Sequence, residues 1–192
     1  KETEEINATK ELQAEGSFHL FDEAHLFKDG EVSPELDAVI KELTEGHGVR
    51  VVIFTSENPD GLSTDELIRQ FVTTNGFSTD GENVGMNDLI CTVNLHNLEG
   101  KIDFDCVAGF ALSREIDDAQ INSLLDAIID QGYYVADPET GGSDYDHGFM
   151  VGYEGIDEVL DAAEAARIAE EQALAEQAAQ PVPENYSPQE ET

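Results

Sequence analysis

The run Val49-Arg50-Val51-Val52-Ile53-Phe54 constrains the fold more than any other feature of the chain. It is short, β-branched and nearly continuous in apolar character, and Val51, Val52, Ile53 and Phe54 leave no polar face. Such a strand is stable when both of its faces are covered, as in a parallel α/β sheet. Flanking helical patterns supply the covers. Ser33-Pro34-Glu35 combines a capping hydroxyl, a Pro in the first turn and an acid at the positive end of the helix dipole. Leu36, Val39, Ile40 and Leu43 then recur at helical spacing up to Gly46 and Gly48. On the other side, Ser63-Thr64-Asp65-Glu66 has the spacing of a capping box. Leu67, Ile68, Phe71 and Val72 continue that helix to Asn75-Gly76.

The remaining elements follow by the same reasoning. Ser17 to Phe21 reads as a short edge strand. Leu89 to Leu95 and Lys101 to Ala108 are strand-like and close on a turn near 97–100, which predicts a hairpin. Ile102, Phe104 and Cys106 alternate with Asp103 and Asp105, so the second arm has one wet face. Ile121, Leu124, Leu125, Ile128 and Ile129 mark a helix capped by Asp117 or Asp118, and a Gly/Asp-rich loop spans 137–148. A last helix starts near Tyr145 and becomes rich in Ala, Glu and Gln. The segment 49–95 forms a crossover, right-handed by the general rule, with parallel strands. The sequence therefore predicts an α/β fold: a three-layer α/β/α sandwich on a small mixed β-sheet over residues 17–165. Residues 1–16 read as a loose acidic segment, 166–180 as an Ala-rich helical extension, and 181–192, with three prolines, as a disordered tail.

The 192 residues include 15 Leu, 12 Ile, 13 Val and nine Phe, enough for a packed core. Asp and Glu number 43 against nine Lys and Arg, a net charge of −34. That balance excludes free nucleic acid, which requires clustered cations, and disfavours a bare anionic membrane surface. No apolar run reaches the roughly 18 residues of a membrane span, so this segment does not insert directly. The acidity serves solubility, suits a salt-rich or cation-rich setting, or offers oxygen ligands to calcium. The chain begins at Lys1, which reads as a fragment or a processed form.

Enzyme signatures are scarce. The chain has no nucleophile elbow and no Walker loop, and its five histidines lack metal-binding spacing. An EF-hand loop starting at Asp137 fails because Gly141 and Gly148 occupy positions that need acids. Cys91 and Cys106 lie on the two hairpin arms, in a register that brings them together. They are either two small buried hydrophobes or a disulfide.

In order and spacing the motifs resemble the TPM domain family, sometimes called TPM phosphatases. Asp22-Glu23-Ala24 matches the D-x-A opening, and the capped helix 33–45 leads into the strand Val49–Phe54. Asn87-Asp88-Leu89-Ile90-Cys91-Thr92-Val93 sits where the family shows an acid or amide, usually a Gly, and an apolar strand. Ala108-Gly109-Phe110 before Asp117-Asp118-Ala119 is similar to its Gly-aromatic turn and following helix. The resemblance covers about residues 18–163. It implies an α/β/α sandwich outside the cytoplasm, often tethered to a membrane, with a divalent cation and phosphatase activity in some members. Carried over by position, Asp22 and Asn87 are candidate metal ligands. Asp88 joins them on its own chemistry, with Glu23, Asp80 and Glu82 as further oxygen donors for Ca2+ or another divalent cation.

Two functions follow. One is an extracytoplasmic accessory or interaction module with an unidentified protein partner, in the first place a membrane protein. The other is a metal-dependent acid phosphatase. A phosphatase needs cations around the phosphoryl group. The chain offers few, with Arg50, Arg69 and Arg114 as the candidates. No activated nucleophile is recognisable, which favours the interaction module.

Overall fold

The structure, a computed structural model, describes residues 16–77 and 87–179. Residues 1–15 of the expected N-terminal segment 1–16, the expected tail 181–192, and the proposed donors Asp80 and Glu82 lie outside the described residues. The chain divides into two compact units, Lys1–Leu160 and Asp161–Thr192.

The first unit is built on a four-stranded mixed sheet in the order β1-β2-β3-β4. Its strands are β1 (Phe18–Asp22), β2 (Arg50–Ser56), β3 (Asp88–Asn94) and β4 (Asp103–Ala108). The first three are parallel, and β4 returns antiparallel to β3. Every residue of β2 and β3 is buried, as a continuous apolar run demands of a central strand.

Alternation divides the two faces. Val51, Ile53, Leu89, Cys91, Val93 and Cys106 point into the larger core, with helices α1 (Pro34–Lys41), α3 (Asp118–Ile128) and α4 (Tyr145–Ala179). Val52, Phe54 and Ile90 point to the other face, under Leu67, Ile68, Phe71 and Val72 of α2 (Thr64–Asn75). Phe71 stacks on Phe54 at a centroid distance of 4.2 Å and takes Phe21 edge-on at 5.0 Å. The β1→β2 and β2→β3 connections step in the same direction across the sheet, yet α1 and α2 lie on opposite faces. The two crossovers therefore have opposite hands, and one departs from the usual right-handed rule.

Local signals act as their chemistry requires. Ser33 caps α1 by accepting from Leu36 N–H at 3.1 Å. Ser63 and Glu66 form the reciprocal capping box on α2, and Asp117 with Gln120 forms another on α3. Helix α1 runs into a π turn, Glu42–Gly46, and α3 into another, Ile129–Tyr133. The second turn has a packing reason. A Cβ on Gly148 of α4 would come within 2.7 Å of Gly132 Cα and 2.8 Å of Ile128 O. One turn further, a Cβ on Gly152 would lie 2.5 Å from a methyl of Leu124. The two glycines give α4 a flat strip on which the end of α3 rests. The second unit contains the helical residues from Asp161 to Ala179. Its side chains are mostly exposed, Ile168 and Leu174 included.

Candidate functional site

Asp22 ends β1, and its carboxylate is spent on two backbone N–H groups and one side-chain hydroxyl. Oδ1 accepts from Leu26 N–H at 2.8 Å and from the Thr55 hydroxyl at 2.6 Å, while Oδ2 accepts from Phe27 N–H at 2.9 Å. Ala24 N–H donates to Thr55 Oγ1 at 3.1 Å, and the Ala24 side chain is buried. The Asp-x-Ala motif thus works as a clasp that turns the chain off β1 and fixes the next loop.

Asn87 and Asp88 lie at the other end of the sheet. Asp22 is in register with Thr55 and Val93, whereas Asp88 is in register with Arg50, the first residue of β2. Five residues of strand separate the two rows, about 16 Å at the usual rise. The expected ligand set Asp22, Asn87 and Asp88 is therefore not assembled. The reason is topological: a residue that ends one strand and a residue that begins a parallel one occupy opposite edges. Asp88 has a different partner. Arg50 Nε donates to its Oδ1 at 2.6 Å and Nη2 to its Oδ2, with the guanidinium 4.8 Å from the centre of the Phe77 ring. Both residues are buried.

The carboxyl ends of parallel strands are where open α/β sheets usually hold ligands. A cleft of about 480 Å3 opens there, between the loop 26–34 and the loop 137–146. Leu26 and Phe27, held by the Asp22 clasp, line one wall. Tyr145 lines the other, 6.4 Å from Phe104 in the row of Asp22, Thr55 and Val93. Asp29, Glu31, Asp137, Glu139, Asp144 and Asp146 bring six carboxylates to this cleft against one lysine, Lys28, which pairs with Glu139. Three of the acids shape the walls. Asp146 takes the N–H and hydroxyl of Ser33, Asp137 takes the N–H groups of Glu139 and Thr140, and Asp144 takes that of His147 at the start of α4. A second groove, of about 450 Å3, shares Glu31, Val32 and Pro34 with the cleft and adds Phe18 and Leu20 of β1. The acidic cleft and this groove thus share the wall Glu31, Val32 and Pro34, and Asp37 adds a carboxylate beside the groove's Phe18 and Leu20.

Two polar arrangements were not anticipated. Asn58, with φ at 46°, donates to the carbonyls of Leu62 and His96 and to Asn94 Oδ1, tying the ends of β2 and β3 together. The Asn-Pro-Asp-Gly turn signalled the bend but not this role. Thr64 then joins Asn94 to Asp103. The face of β4 expected to be wet is half-buried, and burial raises the Asp105 carboxyl above the ordinary aspartate range, with Asp65 and Asp103 adding repulsion. His47 Nε2 and Asp157 Oδ1 meet at 3.2 Å, an imidazole and a carboxylate of the type that ligate divalent cations. Asp161, four residues beyond Asp157 in the sequence, opens the second unit.

The candidate phosphate-holding arginines do not gather at the cleft. Arg50 is in the core pair, Arg114 lies 4.7 Å from the centre of the Phe110 ring, and Arg69 is exposed on α2. No helix among the described residues is long and apolar enough to cross a membrane. Compared with models of protein families and with curated proteins, the chain matches none.

Proposed function

We propose that the first unit is an accessory interaction module of the TPM type, acting outside the cytoplasm beside a membrane-protein partner. In this reading its acidic cleft and adjoining groove receive a basic, partly apolar segment of that partner. The location and the kind of partner come with the resemblance of Asp22-Glu23-Ala24, Val49–Phe54 and Asn87–Val93 to that family. One observation carries the binding mode: six carboxylates and one paired lysine line a cleft that shares Glu31, Val32 and Pro34 with a neighbouring groove along the apolar Phe18 and Leu20. Lysine or arginine side chains suit the first part and aliphatic ones the second. A phosphoester would meet uncompensated carboxylates there, opposite to what phosphoryl transfer needs. A divalent cation, Ca2+ first, would compete with the basic segment for the same oxygens.

The test is fluorescence anisotropy with a labelled peptide of alternating Lys and Leu, beside a Glu/Leu control. The wild-type chain binds the first peptide saturably, more weakly at high salt and in calcium, and does not bind the control. Glu31→Lys, at the junction of cleft and groove, weakens binding by about tenfold or more. Equal binding of both peptides, or indifference to Glu31→Lys, overturns the reading. So does turnover of p-nitrophenyl phosphate by the wild-type chain.

A further inference from the structure

Cys91 and Cys106 face one another across β3 and β4. Gly109 N–H donates to Asp88 O at 2.8 Å, which makes 88/109 a hydrogen-bonded position of the ladder. Hydrogen-bonded and non-hydrogen-bonded positions alternate along an antiparallel pair. The 91/106 pair lies three steps on, so it occupies a non-hydrogen-bonded position. Opposed Cα atoms there are typically about 4.5 Å apart, with their side chains at their closest. That is within the span a disulfide bridges. Both side chains point into the larger core, at 0% and 5% exposure, and neither is oxidised in this structure. Burial, with the neighbouring Cys91, pushes the Cys106 thiol well above its ordinary range. A third group marks the place. Tyr153 Oη is fully buried and has no conventional hydrogen-bond partner, and its polar neighbours are the sulfurs of Cys91 and Cys106, which are weak acceptors.

We propose that Cys91 and Cys106 are a latent cross-strand disulfide site that locks the edge strand β4 to β3. The oxidant is a disulfide, either a small molecule such as oxidised glutathione or an enzyme-borne one. One cysteine thiolate attacks the donor disulfide, forming a mixed disulfide and releasing one donor thiol. The second thiolate attacks the protein sulfur of that intermediate. A Sγ–Sγ bond forms and the second donor thiol leaves. The cysteines lose two protons and two electrons, and the donor is reduced to two thiols. In the closed fold both thiols are buried, which keeps them from an attacking reagent and makes them inert. Among the described residues β4 pairs with β3 alone, and its local opening, or the stage of folding before Tyr153 packs, exposes both. An oxidising compartment would favour the bridge, but the geometry does not depend on the function proposed above.

The experiment starts from reduced, urea-unfolded full chain, diluted into a glutathione buffer dominated by the oxidised form. The product is denatured, alkylated with iodoacetamide, weighed and mapped. The expected protein is lighter by two hydrogen atoms, takes up no alkyl group and yields one peptide pair joining 91 to 106. Glutathione on both cysteines, disulfide-linked dimers or two alkylated thiols overturn the proposal. Two further readings on the wild-type chain keep it testable without core substitutions. Oxidation of the folded protein is slower than of the refolding chain and speeds up in sub-denaturing urea, and equal rates contradict the burial argument. The bridged protein keeps its near-ultraviolet circular dichroism and melts above the reduced protein, whereas a lower melting point means that the bridge distorts the ladder.

Discussion

Arg50 and Asp88 begin neighbouring parallel strands and form a buried, two-point ion pair beneath the ring of Phe77. The pair explains how an arginine sits within an otherwise apolar run that has no wet face. It also removes Asp88 from any ligand role. Cutting one partner leaves the other charged in the core, which costs about 3–5 kcal/mol. Asp88→Ala is therefore expected to lose that much stability in urea unfolding. The double replacement Arg50→Met with Asp88→Leu, which removes both charges, should recover most of it. If Asp88→Ala unfolds at the wild-type midpoint, the pair is not buried as described.

Asp22 gives a second prediction. Its carboxylate serves two backbone N–H groups and one hydroxyl, and leaving such donors unmade costs about 1–3 kcal/mol. Asp22→Ala should lower the melting temperature and increase hydrogen exchange at Leu26 and Phe27. Calcium should shift the wild-type and variant melting temperatures equally, since the carboxylate is already committed to the loop. A calcium shift present in the wild type and absent in Asp22→Ala would reinstate Asp22 as a ligand.

What could be read from the sequence was local or periodic. Ser63 and Glu66 announce their helix because a capping box acts within four residues. Val51 to Phe54 announce a doubly covered strand because both alternate faces are apolar. The facing of Cys91 and Cys106 follows from hairpin length. The failures were in three dimensions. Asp22, Asn87 and Asp88 flank strands, and only strand direction shows that they flank opposite ends. Arg50 was a free cation in one dimension because its partner lies 38 residues away. The opposite placement of α1 and α2 leaves no mark in either helix, since both carry the same amphipathic pattern. The cleft is assembled from two loops over a hundred residues apart.

Asp105 gives a pH prediction. Its folded-state pKa is raised, chiefly by burial and then by Asp65 and Asp103, against a hydrogen bond from Cys106 N–H that favours the charge. The native state thus holds a proton that the unfolded state has released, and stability falls as pH rises from the ordinary aspartate range through the folded value. Asp105→Asn keeps an oxygen for Cys106 N–H and removes the charge. It should stabilise the chain at neutral pH, by less than about 1 kcal/mol because the group keeps solvent contact. The gain should vanish below the ordinary aspartate range. Urea unfolding of both proteins at acid and neutral pH checks this, and a gain that is independent of pH would assign it to something other than the buried charge.

Gly148 of α4 packs directly against the backbone at the end of α3. A methyl there would meet Gly132 Cα and Ile128 O, which are backbone atoms and cannot swing aside as a side chain can. Relief requires α4 to move away from the π turn that ends α3, or the turn to rewind. Overpacking of this kind typically costs about 1–3 kcal/mol. Part of that is offset because alanine favours a helix over glycine by about 1 kcal/mol. Gly155, on the same helix, would meet nothing within 4 Å, so Gly155→Ala isolates the propensity gain. The expected order of stability is Gly155→Ala above wild type and Gly148→Ala below it. Gly148→Ala should also disturb the amide resonances of Ile129 to Tyr133 and of the cleft loop that follows, because Asp144 N–H donates to Gly132 O at 3.1 Å. If both substitutions stabilise the protein equally, the close approach of α4 to the end of α3 is not part of the fold.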